Sequence, residues 1–131
     1  MAMEIFFDSC VAIYLVEEHP EYVERIRARL VGSRARITYS PLVEMECMVL
    51  PIRQQRLELA ARFHDFFALS HRLALSDAVY EKATELRARH GLKTPDALHL
   101  ATALHYGCDE LWTNDARLSN VAGSLAINVL A

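Results

Sequence analysis

Glycine, proline and cysteine are all scarce: four, four and three among 131 residues. Four scattered glycines cannot build a G-x-G-x-x-G nucleotide fingerprint, and neither a G-x-x-x-x-G-K-S/T loop nor a G-x-S-x-G elbow occurs. Nucleotide-driven functions and acyl transfer from Ser9 or Ser40 therefore have no support. The three cysteines, Cys10, Cys47 and Cys108, are odd in number and lack C-x-x-C spacing, which excludes a disulfide framework and a zinc site. They are expected to be reduced, half-buried packing residues. No apolar run approaches the roughly 20 residues that span a bilayer. The N-terminus carries Glu4 and Asp8 around a strand-like run, unlike a signal peptide, so the expectation is a soluble, cytoplasmic protein with no membrane partner.

A strong net charge is also missing. The formal value of −3 argues against a wide nucleic-acid-gripping surface. Five basic residues do fall between Arg25 and Arg36, with further groups at Arg53 and Arg56 and at Arg87, Arg89 and Lys93. These are either patches flanking an acidic centre or solvated helix faces paired with Glu17, Glu21, Glu24, Glu81 and Glu85. With 53% hydrophobic and 24% charged residues, and no repeat or linker, the chain reads as one globular domain, 1–131.

Strands are expected at Met3–Phe7, Ala35–Tyr39, His71–Leu75, Glu110–Thr113 and Leu125–Val129. Between them, helices are expected at Ser9–Glu18 and Glu21–Leu30. A further helix opens at Ser40-Pro41 and is broken by Pro51, and another runs over Gln54–Leu69. Ser76 caps Asp77–His90, which Gly91 ends, and Thr94-Pro95 caps Asp96–Tyr106. A turn of helix is expected at Ala116–Ser119. Strands alternating with helices imply an α/β fold: a mainly parallel, five-stranded sheet covered on both faces.

Four acids stand where apolar or neutral residues would be ordinary. Asp8 and Asp115 follow strand ends, the edge where parallel sheets place ligands; both have a competing role, as helix cap and as turn residue. Asp96 would complement the dipole of its helix, yet it shares a stripe with Leu100, Ala103 and Leu104, which turns its carboxylate inward. On a helix advancing about 100° per residue from Leu42, Glu46 falls roughly 40° away, within the apolar arc of Leu42, Met45, Val49 and Leu50. Glu44 falls roughly 200° away and faces out. An ion pair with an arginine remains open for Glu46. His64, His99 and His105 are read as core or edge histidines without chemistry, the i, i+6 spacing of the last two being wrong for a shared metal.

Buried carboxylates without nearby lysines or arginines point to a divalent metal held by Asp8, Glu46, Asp96 and Asp115. Oxygen ligands favour Mg²⁺ or Mn²⁺ over zinc, and the chemistry such a site suits is metal-assisted phosphodiester hydrolysis. An acidic groove that only docks a basic peptide or RNA, with no catalysis, is the alternative. A small-phosphate-ester hydrolase is disfavoured because residue 10 is Cys, leaving no Asp-x-Asp motif.

Phe6-Phe7-Asp8-Ser9-Cys10, Ser40-Pro41-Leu42-Val43 with Glu46-Cys47, Thr94-Pro95-Asp96-Ala97-Leu98-His99-Leu100-Ala101-Thr102-Ala103 and Thr113-Asn114-Asp115 occur in that order. In this the chain resembles the PIN-domain ribonucleases, and more narrowly VapC-type toxins of toxin–antitoxin pairs, over essentially its whole length. The resemblance implies a three-layer α/β/α fold, Asp8, Glu46, Asp96 and Asp115 as the catalytic and metal-binding acids, and Thr113 and Ser9 in support. It also implies an RNA substrate, a homodimer, and a VapB-type antitoxin that covers the acidic groove and can insert an arginine. Ser9-Cys10 departs from the Thr-Ser or Ser-Asn of many relatives, so a side-chain hydroxyl contribution from the second of these positions is expected to be lost. Glu44 departs as well, from a basic or apolar residue in similar chains.

Overall fold

The structure, a computed structural model, describes residues 2–129; residues 1, 130 and 131 of the expected domain lie outside the described residues. A five-stranded, wholly parallel sheet is built from β1 (Met3–Phe7), β2 (Ala35–Tyr39), β3 (His71–Arg72), β4 (Glu110–Trp112) and β5 (Ala126–Ile127) in the order β3-β2-β1-β4-β5. Seven α-helices connect them among the described residues: α1 (Ser9–Val16), α2 (Val23–Leu30), α3 (Pro41–Arg53), α4 (Leu57–Ala68), α5 (Asp77–His90), α6 (Thr94–His105) and α7 (Ala116–Ala122).

The strand order explains the layers. From β1 the chain steps outward through β2 to β3, then crosses back to β4 and β5 on the other side. Right-handed crossovers therefore place the helices after β1 and β2 on one face and those after β3 and β4 on the other. Successive side chains of β1 confirm this, since Phe6 packs against His99 of α6 while Phe7 packs against Phe66 of α4. Phe7 also stacks on Trp112 of the neighbouring strand, with ring centroids 5.4 Å apart. Exposure falls along β1 from Met3 to a fully buried Ile5-Phe6-Phe7. The C-terminal end of the strand thus delivers Asp8 into the interior, between β1 and β4, where the direction of winding reverses.

Most expected elements are present with shifted ends, and two expectations fail. Pro51 does not break α3, which runs on to Arg53. Proline deprives only the Cys47 carbonyl of its partner, and so near the helix end, with Pro51 itself buried, that loss is tolerated. Thr94 does not cap α6: it lies within the helix, Lys93 at the cap position makes no side-chain bond, and the Thr94 hydroxyl accepts from Arg87 Nη1 (2.9 Å). Arg87 Nε donates in addition to the Leu92 carbonyl (3.0 Å), so α5 braces the chain that leads to Asp96. Ser40 caps α3, Ser76 caps α5 and Gly91 ends α5 at φ 68°, as the sequence suggests.

Two of the five basic residues between Arg25 and Arg36 pair with acids outside the predicted quartet. Arg36 lies on β2 beside Glu4, near the strand starts, and bonds it; Arg27 bonds Glu18 and Glu24. No helix of the described residues is long and apolar enough to cross a membrane.

Candidate active site

Asp8 is 6% exposed and serves as the N-cap of α1, its Oδ1 accepting from Val11 N (3.2 Å). The same oxygen accepts from the Cys10 thiol (2.8 Å). Burial pushes the Asp8 carboxyl up from its ordinary value, and the opposing donors Cys10, Thr113 and Val11, with His99 nearby, do not bring it back. An N-cap stabilises by about 1 kcal/mol, whereas desolvating a carboxylate costs several times that. Capping alone therefore does not account for an aspartate in this place.

Asp115 follows β4 as Asp8 follows β1, and caps α7 through Oδ1 to Leu118 N (2.8 Å). Thr113, fully buried, accepts from Asp115 N (3.0 Å) and is one of the donors favouring ionised Asp8, so it ties the two strand-end acids together. Asp96 lies half-buried in the first turn of α6. Its carboxyl is raised by burial first, then by Asp115, and by Asp8 and Glu46, with His99 opposing. The stripe argument for Asp96 weakens, because α6 is buried on every side from Ala97 to Ala103 while Leu104 is exposed.

Glu46 reaches the same place from α3, but not on the face expected. Met45, Val49 and Leu50 are 58%, 43% and 53% exposed, and the buried set is Val43, Cys47, Met48 and Pro51. Glu46 lies at the edge of that set with its side chain 28% exposed, and its Oε1 pairs with His99 Nε2 at 2.9 Å. Glu44 does not simply face out: it is half-buried and lines a groove of about 600 Å³ with Met45, Met48, Val49, Arg53, His64 and Arg72.

Two residues set aside on sequence grounds belong to this site. His99, 3% exposed, is no passive core histidine; it contacts one acid and acts electrostatically on two more. Its place three residues beyond Asp96, on one helix face, was the available signal. Cys10 has no hydroxyl to offer, as expected, but its thiol bonds Asp8 and Asn114 Oδ1 (3.2 Å). Ser9 is half-buried, and its carbonyl receives the Cys47 thiol (3.8 Å).

The donor set, four carboxylates and a hydroxyl, suits a hard cation in charge and atom type. None of the ion pairs of Arg27, Arg36 and Arg62 reaches these acids. The spacing is open: among the described residues no three His, Cys, Asp or Glu side chains converge closely enough to hold one ion as they stand. The four are thus near enough to raise the Asp96 carboxyl and too far apart to form a closed cage.

Residues 5–124 match the family model described as the PIN domain. The chain belongs to the PIN domain family. Solved structures share the fold of this PIN domain at low identity. A toxin–antitoxin complex from Klebsiella pneumoniae is 23% identical, with a TM-score of 0.78, over 95% of this chain and 97% of that one. VapBC2 from Rickettsia felis, bound to a DNA fragment from its promoter, is 16% identical, with a TM-score of 0.79, over 96% and 98%. VapC20 from Mycobacterium tuberculosis, described as a Sarcin-Ricin loop cleaving toxin, is 17% identical, with a TM-score of 0.74, over 88% and 93%. No curated protein sequence matches the chain.

All three thiols of this PIN domain are shifted up by burial, Cys10 and Cys47 far enough to stay protonated in mildly alkaline buffer. The native protein should accordingly react with a thiol reagent orders of magnitude more slowly than the unfolded chain, since the thiolate is the nucleophile. Native Cys10 reacting as fast as in denaturant would contradict its placement against Asp8.

Proposed function

We propose that this PIN domain is a metal-dependent endoribonuclease, the toxin of a type II toxin–antitoxin pair. The observation that carries the reading is Asp96, whose carboxyl is raised by burial and by Asp115, Asp8 and Glu46, while the arginine ion pairs of the described residues are made with other acids. Carboxylates arranged against one another favour a cation, and an all-oxygen set favours Mg²⁺ or Mn²⁺. Asp8, Glu46, Asp96 and Asp115 would be its ligands and the catalytic acids. A bound ion of this class supplies an activated water and offsets charge on a phosphodiester.

The chain's own residues prepare that chemistry. Cys10, Val11 and Thr113 fix Asp8. Capping of α7 fixes Asp115, and Thr113 spans the two strand ends. Ser9 holds the start of α1 against α3 through its carbonyl. Asp8 and Asp115 are held by caps through Oδ1, which leaves Glu46 and Asp96 as the acids whose side-chain rotation would close the set on an ion.

RNA as substrate is supported by the PIN domain family and by the description of VapC20 as a Sarcin-Ricin loop cleaving toxin. Fold neighbours solved as toxin–antitoxin complexes support a VapB-type antitoxin covering the acidic groove. A guanidinium from that partner would neutralise the acids and compete with metal and RNA together. A homodimer, a hetero-oligomer with the antitoxin and a cytoplasmic location complete the proposal.

The open spacing of the acids favours a second reading, a catalytically silent groove that binds a basic peptide or RNA. Chelation separates the two. Protein freed of any partner should cleave RNA with Mg²⁺ or Mn²⁺ and be silent in EDTA. Equal cleavage with and without chelator would overturn the metal-dependent reading, and partner binding that survives EDTA without cleavage would favour the silent groove.

A further inference from the structure

His99 occupies a place that a leucine would fill at lower cost. It is 3% exposed, its Nδ1 is buried without a hydrogen-bond partner, and Phe6 covers the ring at a centroid distance of 5.9 Å. A buried imidazole with one orphaned nitrogen is unfavourable unless its other nitrogen does something a hydrocarbon cannot. Here that nitrogen meets Glu46 Oε1 at 2.9 Å. A carboxylate only accepts, so Nε2 carries the proton of this bond.

The placement is specific. Asp96 and His99 share one face of α6, Glu46 comes from α3, and Phe6, beneath the ring, precedes Asp8 by two residues. The helices come from opposite faces of the sheet and meet at this bond, beyond the strand ends. Without it Glu46, on the edge of α3 and 28% exposed, would be free to swing into solvent.

We propose that His99 is a positioning residue of the acidic site, its Nε2–H holding the Glu46 carboxylate in register with Asp96 so that Glu46 can serve as a metal ligand. This rests on the metal-dependent reading of the four acids. Outer partners of a ligand act on the metal through the ligand they orient, and removing one typically costs about 10- to 100-fold in affinity.

The test is Mn²⁺ binding by electron paramagnetic resonance on the metal-free protein, independent of turnover. His99→Leu should weaken Mn²⁺ binding about 10- to 100-fold. His99→Gln, whose amide nitrogen lies near the place of Nε2, should recover most of the loss. In a Glu46→Ala background His99→Leu should cause no further weakening, because its effect passes through Glu46. Wild-type affinity in His99→Leu, or an equal loss with Glu46 already removed, would overturn the proposal. Should His99→Leu fail to fold, nitrogen NMR of the labelled wild-type ring decides: a protonated Nε2 whose resonance moves in Glu46→Gln supports the bond, and a ring protonated at Nδ1 alone overturns it. Wild-type protein that binds no Mn²⁺ would instead defeat the metal reading on which this stands.

Discussion

Asp96→Asn should abolish RNA cleavage while leaving the metal-free protein as stable as wild type, or more so. The two effects share one cause. The Asp96 carboxyl is raised by burial and by Asp115, Asp8 and Glu46, so its charge is a liability until a cation arrives. Asparagine keeps the shape and discards the charge. Cleavage should fall by more than the roughly 10- to 100-fold typical of groups outside the ligand shell. Linkage fixes the pH dependence. With its pKa raised on folding, folded Asp96 keeps a proton that the unfolded chain releases, so stability falls as pH rises from the ordinary aspartate value through the raised one. Asp8 is shifted in the same direction. In EDTA the mutant's advantage in thermal melts should therefore be greatest at neutral pH and fade toward acid. A mutant much less stable than wild type at neutral pH would mark Asp96 as half of a structural ion pair.

Glu46→Gln should reduce cleavage by orders of magnitude, whereas Glu44→Gln, two residues away, should leave turnover nearly intact. Glutamine at 46 can still accept from His99 but no longer offers a charged oxygen to a cation. Glu44 lines a groove with Met45, Met48, Arg53 and Arg72, so any effect there should appear in binding and weaken with salt. Single-turnover cleavage with saturating RNA separates the cases. Loss in Glu44→Gln with full activity in Glu46→Gln would place the second member of the site wrongly.

The contrast between these glutamates marks where sequence reading succeeds and where it stops. Asp8 and Asp115 were legible because strand ends and helix caps are local: an acid after Ile5-Phe6-Phe7 or Leu111-Trp112-Thr113 lands at a sheet edge whatever the rest does. The winding reversal between β1 and β4, which makes that edge a crevice, follows from strand order and is not local. Glu46 was singled out on a premise about the face of α3 that the structure overturns. Because α3 is apolar on two sides, periodicity could not say which side meets the core, and the exposed stripe of Met45, Val49 and Ile52 was indistinguishable from the buried one of Val43, Cys47 and Met48. His99 and Cys10 escaped for a different reason. Each acts through one hydrogen bond to an acid, and His99 spans 53 residues of sequence to reach Glu46. The short strands β3 and β5 contracted because expected apolar runs left the ladder early, as where Leu73 makes one more bond to Tyr39 and turns inward.

Anomalous diffraction from crystals grown in Mn²⁺ tests the central claim most directly. The account predicts a manganese peak within coordinating reach of Asp96 and of at least one strand-end acid, Asp8 or Asp115, with Glu46 drawn toward it from α3. Ordered density for all four acids at saturating Mn²⁺, with no manganese among them, would contradict it.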